Sequence, residues 1–272
     1  MPFDLRVNLR ATLTVALVLT VVGCGGLRKP KEPPQGAVDA DKFLYDRGTA
    51  LLAKKNWITA REYFKRIVDS YPGSPYRSDA KLGVADSYLG QKQTDSLILA
   101  VNEYREFLQF FPLSDKADYA QFHLALAHSK QMLSAERDQT ATHETLAEVQ
   151  RFKEVHPTSK YMPEVDQIYR LARERLSESE FRVGMLYFRI KGYAGAIGRF
   201  SQLISEDPQY SKRDELFYYM AETCVKGSNL KAQAVLYYEK TIADYPKSRF
   251  AKRSKRRLDQ MAKAEAKAQA GK

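Results

Sequence analysis

The stretch DKFLYDRGTALLAKKNWITAREYFKRIVDSYPGS, residues 41–74, decides the architecture of this chain. Apolar residues recur at three and four positions on either side of the break KKN, the spacing of two amphipathic helices joined by a tight turn. Numbering Asp41 as position 1 places Gly48 at 8, Leu51 at 11, Trp57 at 17, Ala60 at 20, Phe64 at 24 and Pro72 at 32. Small residues at 8 and 20 let two antiparallel helices approach closely, and the aromatic ring at 24 fills the space beside them. Pro72 stops the second helix because it lacks an N–H and its ring clashes with the preceding turn.

The closing phrase SYPGSPY, 70–76, has an echo in DYPKSRF, 244–250, with weaker copies at FPLSDKADY from Phe111, HPTSKY from His156 and DPQYSKRDE from Asp207. Their prolines, 72, 112, 157, 208 and 246, lie 40, 45, 51 and 38 residues apart. An almost wholly helical pattern punctuated at such intervals predicts stacked helix pairs. The frame resembles the tetratricopeptide repeat. It recurs as Gly184, Tyr187, Ala196 and Phe200, and as Ala234 and Tyr238, where Glu222 replaces the small residue at 8. In the second copy Ala85 and Tyr88 fit, but Ala100 and Tyr104 come three residues late. The third copy keeps Ala125 and His128, then an insertion delays Thr145, Val149 and Pro157. The expected fold is all-α, a tetratricopeptide-repeat superhelical solenoid of about five pairs with a C-terminal capping helix. The excess length around PEVDQIYRLARERLSESE predicts one helix of about 27 residues, about 40 Å long, with Pro163 in its first turn.

Outside the repeats, Arg6 and Arg10 precede the apolar run ATLTVALVLTVV, 11–22, too short to span a bilayer and suited to a secretory signal. Val21-Val22-Gly23-Cys24 resembles a bacterial lipoprotein signal, which implies that Cys24 is the acylated first residue of the mature chain, and Gly25 after it favours the outer membrane. An ordinary signal with an incidental Cys is the alternative. Residues 24–40 carry Gly, Pro and charge without periodicity and read as a flexible tether with a reach of roughly 20–24 Å. The expected organisation is therefore signal 1–23, lipidated Cys and tether 24–40, a first module of three repeats at 41–160, a linking helix with two repeats at 161–246, and a basic capping helix fraying into a tail at 247–272.

The net charge of +11 is concentrated in that tail, which holds ten Lys and Arg against Asp259 and Glu265, and residues 24–246 carry only +2. A nucleic-acid partner is not expected for the repeats. No HExxH, paired CxxC, Walker loop or GxSxG occurs. His123, His128, His143 and His156 lack partners at metal-ligand spacing, so they read as packing or surface residues, and neither metal nor cofactor is expected. GYAGAIG, 192–198, superficially like a phosphate loop, follows no strand and reads as the crossing of the fourth repeat. Cys224, among apolar neighbours, reads as a buried inert thiol. Catalysis is not expected.

A solenoid works through the surface its units jointly present. Positions 2, 5, 9, 12 and 13 of the first helices would face the concave side. They include Tyr45 and Thr49 of the first repeat, Leu82 and Asp86 of the second, and Tyr119, Phe122, Leu126 and Ser129 of the third. Aromatic, aliphatic and a few charged groups would suit an extended peptide, unless a tight superhelix packs them inside.

Cys24, the tether, five repeats, the insertion SAERDQTATHETLAEVQRFKEVHPTSKY and the linking helix together resemble the BamD family of outer-membrane assembly lipoproteins over essentially 41–250. The resemblance implies a non-catalytic scaffold, lipid-anchored at the outer membrane and facing the periplasm. Its N-terminal repeats would receive unfolded outer-membrane proteins, and its C-terminal repeats would dock the POTRA domains of the barrel-forming, BamA-type subunit. Arg199 matches a family arginine at that docking surface. The basic tail and the weak third repeat depart from the pattern. A different periplasmic repeat adaptor, such as a secretin pilotin or a cell-wall enzyme adaptor, and a binder of acidic surfaces acting through 247–272, are the competing readings.

Overall fold

The computed structural model describes residue 32, residues 39–227 and residues 230–270. The expected signal peptide, Cys24 and nearly all of the tether lie outside the described residues. Every regular element among those described is a helix. In chain order they are α1 (Ala40–Ala53), α2 (Trp57–Ser70), α3 (Arg77–Gln91), α4 (Thr94–Phe110), α5 (Ala117–Ser129), α6 (Thr140–Val155), α7 (Met162–Arg189), α8 (Tyr193–Glu206), α9 (Arg213–Gly227), α10 (Lys231–Asp244) and α11 (Arg249–Ala270). Each packs chiefly on its neighbours in the chain, so α1–α10 form five successive pairs and α11 closes the array. This is the expected tetratricopeptide-repeat solenoid.

The frame residues make the close contacts their sizes predict. The Phe64 ring is gripped from both edges: a Cβ added to Gly48 would lie 2.7 Å from its Cε1, and one added to Gly83 would lie 2.6 Å from its Cε2. Helices α1 and α3 thus reach the same ring from opposite sides. Gly184 meets Phe200 in the same way. Where the frame puts Tyr at 24, a carboxylate from the first helix takes the hydroxyl: Tyr104 donates to Asp86 at 2.5 Å and Tyr238 to Glu222 at 2.6 Å. Glu222, which breaks the small-residue rule, is 6% exposed and also accepts from Arg257 of α11 at 2.6 Å.

The repeated phrase does more than stop helices. Its serine bonds back to a carboxylate at the start of the same repeat: Ser74 to Asp41 at 2.6 Å, Ser159 to Asp118 at 2.7 Å, and Ser248 to Asp214. Its second aromatic stacks on the first helix, Tyr76 on Tyr45 at 4.9 Å and Tyr161 on Phe122 at 4.9 Å, with the second pair 5° from parallel. The turns between paired helices place Lys55, Lys92 and Lys191 at φ of 58°, 60° and 63°, a left-handed conformation that a Cβ resists.

Helix α7 has 28 residues, about 42 Å at 1.5 Å per residue. Val165 and Ile168 join Phe152 and Ala125 in the core of the third repeat, while Phe181 and Met185 join Phe200 and Leu216 in the C-terminal core. A single helix is therefore shared by two cores. At its middle, Arg170 grips Asp207 with two hydrogen bonds, 2.9 and 2.6 Å, and Ser177 donates to the same carboxylate at 2.6 Å. Burial works to raise the Asp207 carboxyl, but these bonds and the Arg170 charge hold it below its ordinary value.

One sequence expectation changes. The capping helix does not fray where its packing ends: α11 stays helical to Ala270, nine residues past Met261, the last side chain packed on the core. Alanine-rich AKAEAKAQA sustains it by intrinsic propensity. His128 is a structural part of the weak third repeat, 4% exposed, with Nδ1 2.9 Å from Glu144 Oε2 across the insertion. Burial lowers its pKa. Cys224 is buried, as expected, and burial pushes its thiol up.

Candidate peptide cavity and docking face

The first three repeats enclose a cavity of about 290 Å³. Of the eight groove candidates, Tyr45, Thr49, Leu82, Asp86 and Tyr119 line it. The register explains this: positions 5 and 9 of α1 and α3 and position 2 of α5 turn toward the same axis. Phe122, Leu126 and Ser129 do not reach it. Phe122 is stacked under Tyr161, Leu126 packs with it against the Phe152 core, and the Ser129 hydroxyl donates to the Leu126 carbonyl at 2.7 Å. The second aromatic of the phrase captures Phe122, which is why position 5 behaves differently in the third repeat.

The inter-repeat turns complete the wall with Asp115, Lys116, Lys160 and Tyr161, while α3 adds Asp79 and the first turn of α5 adds Asp118. Spacing along first helices could not find the turn residues, although the phrase HPTSKY displays Lys160 and Tyr161. Asp79 receives Lys116 Nζ at 2.6 Å and the Tyr45 hydroxyl at 3.4 Å. Burial opposes charge on Lys116, but Asp79 more than offsets it and raises the lysine. Deeper in the wall, Asp86 accepts from Tyr104 and also from Tyr119 at 2.9 Å. Burial raises its carboxyl even against these two donors. The Tyr119 ring lies 3.9 Å from the His123 ring, whose pKa burial lowers. That imidazole is therefore neutral near pH 7. The cavity offers tyrosine faces beside carboxylates and two lysines. Among the described residues, no His, Cys, Asp and Glu cluster has the arrangement of a metal site.

Arg199 lies elsewhere, exposed on α8. Burial raises the nearby Glu180 carboxyl, opposed by the charges of Arg173 and, more weakly, Arg199. Close by in sequence, the last two turns of α7 and the capping residue after it expose Val183, Leu186, Tyr187 and Ile190 at 37%, 55%, 37% and 64%. Their spacing of three and four sets them on one face. Val183 and Leu186 border a second cavity of about 640 Å³ shared with Glu136 and Arg137 of the third-repeat insertion. Among the described residues no helix is long and apolar enough to cross a membrane.

The chain is 28% identical over 239 residues to the outer membrane protein assembly factor BamD of Caulobacter vibrioides, covering 84% of this chain and 76% of the relative. It is 26% identical over 242 residues to BamD of Rickettsia prowazekii, covering 89% and 92%. A thermophilic TPR protein in Thermus thermophilus aligns over 80% of this chain and 99% of its own at 16% identity, with a TM-score of 0.34. Residues 38–234 match the family described as YfiO, outer membrane lipoprotein. Carrying that match over most of its length, the chain belongs to the YfiO family of outer membrane lipoproteins, the family of the BamD assembly factors.

Proposed function

We propose that this protein is a scaffold for outer-membrane protein assembly that receives unfolded client chains in the cavity of its first module, residues 41–160. The observation that carries this reading is the wall itself. Three successive repeats contribute Tyr45, Asp86 and Tyr119 to one concavity, within a chain whose relatives are outer membrane assembly factors. Tyrosine rings offer stacking surfaces for aromatic client residues, and flanking carboxylates and lysines supply hydrogen-bond partners for extended backbone. The second module, 161–246, presents Arg199 and the apolar end of α7 to a POTRA domain of the barrel-forming subunit. An acyl chain on Cys24 holds the protein at the periplasmic face of the outer membrane. No reaction is assigned to it.

A photo-cross-linking residue at Tyr119 should capture an unfolded outer-membrane protein, whereas one at Ile98, exposed on α4 and away from the cavity, should not. Equal capture at both positions rejects the cavity as the client site. Arg199→Glu should reduce co-purification of the POTRA-bearing subunit from detergent-solubilised membranes while leaving client cross-links intact. Mass spectrometry of the mature N-terminus tests acylation at Cys24.

A further inference from the structure

The basic residues of α11 divide into two groups. Arg249, Arg253 and Arg257 serve the fold: Arg249 lies over Phe250 at 4.6 Å, Arg253 over Tyr218 at 4.4 Å, and Arg257 bonds Glu222. Lys252, Lys255, Arg256, Lys263 and Lys267 do nothing comparable. They are exposed, and among the described residues none of them forms an ion pair. At 100° per residue they fall on one side of α11, opposite Phe250, Leu258 and Met261, which pack on the C-terminal core. One carboxylate, Asp259, shares that side. From Lys252 to Lys267 the stripe is about 22 Å long.

Left to itself the stripe is unfavourable. Lys252 with Arg256, and Lys263 with Lys267, are like charges four residues apart, which oppose helix formation. A flat field of negative charge relieves that repulsion. The character of the stripe distinguishes between anionic partners. Protein interfaces centre on aromatic and aliphatic anchors and are depleted in lysine, and this side of α11 carries four lysines and one arginine without an apolar anchor among them. Flexible ammonium groups along one straight helix face match the anionic headgroups of a bilayer surface. Membership of an outer membrane lipoprotein family places such a surface nearby. The helix also continues past Met261 as an all-exposed rod of about 13 Å that touches no repeat.

We infer that the exposed basic side of α11 is a docking face for anionic phospholipid headgroups. It adds an electrostatic contact at the C-terminal end of the array, separate from any acyl anchor at Cys24 and from the client cavity. The contact is peripheral, because the apolar side of α11 is already occupied by protein.

The test uses the full chain in vesicles of phosphatidylcholine with or without phosphatidylglycerol, reading the acylation rate of each lysine by mass spectrometry. Lys252, Lys255, Lys263 and Lys267 should react about threefold or more slowly on the phosphatidylglycerol vesicles and recover at high salt. Lys54 and Lys92, in the turns of the first two repeats, should not change. The fully neutralised variant K252Q/K255Q/R256Q/K263Q/K267Q keeps Arg253 and Arg257, so it should fold normally and show weaker flotation on phosphatidylglycerol vesicles than the wild type. Equal tail reactivity on both vesicles overturns the proposal. So does protection seen only in native membranes with the tail cross-linked to a protein, which would assign the stripe to an acidic polypeptide.

Discussion

Tyr104 and Tyr238 hold the same place in their repeats and each donates its hydroxyl to a carboxylate of the preceding helix, but the two carboxylates are compensated differently. Glu222 is met by Arg257 from α11 at 2.6 Å, with Lys226 at 3.8 Å. Asp86 has two tyrosine hydroxyls and, among the described residues, no cation within salt-bridge distance. Burial accordingly raises its carboxyl. The C-terminal carboxylate is a staple between repeat five and the capping helix. The N-terminal one is a buried carboxylate without a cation partner in the wall of a cavity, which makes it a candidate site residue and not a joint. The same repeat geometry carries an ion-paired joint in one module and a carboxylate without a cation partner in the other.

Removing the staple should have the largest effect. Glu222→Ala leaves the Arg257 charge and the Tyr238 hydroxyl without their partner, and should cost about 3 kcal/mol in chemical denaturation. Amides of α11 should exchange faster in the same variant. A cost below about 1 kcal/mol would mean that the pair is no staple. Asp207→Asn comes next, at about 2 kcal/mol at neutral pH, because it weakens a charge-assisted pair with Arg170. The Asp207 pKa is lowered in the folded chain, so its contribution is present above the ordinary carboxylate value and is lost as pH falls through the lowered one. The acid limb of stability in the variant should therefore be flatter.

Asp86→Asn should act in the opposite sense. A raised folded pKa means that this group's stabilising contribution is full below the ordinary carboxylate value and disappears as pH rises through the raised one. The amide cannot ionise, so neutral-pH stability should change by less than about 1 kcal/mol or increase, while client cross-linking at Tyr119 falls. A large loss of stability with client binding intact would erase the contrast with Glu222. The smallest effect belongs to the turns. Lys55→Gly relieves a left-handed lysine and should raise stability by about 0.5 kcal/mol once the entropy of glycine is set against it, readable as a small rise in Tm.

How much of this could be read from the residues follows from how local each interaction is. The Gly48–Phe64 crossing lies within a single repeat, so fixed spacing reveals it. The reach of α7 was legible from a breaker-free run after Pro163. Asp86, by contrast, needs Tyr119 from the next repeat, and Tyr161 reaches the cavity only because the phrase folds back over α5. The same fold-back takes Phe122 away from the site. Glu222 looked like a defect in the frame because its reason, Arg257, lies 35 residues later on α11. The persistence of α11 beyond its packing rests on the helix propensity of its alanines, a signal that the charge of the tail overlies.

Helix α7 has a mechanical meaning. Its backbone hydrogen bonds run unbroken between two cores that each clamp one end, so the element can pivot but cannot stretch. Displacement of the α8 crossing at Gly184 must therefore reappear about 30 Å away beside Val165 as tilt or rotation. The protein contains a lever arm whose two ends sit in different repeats, and whatever leans on one of them is felt by the other.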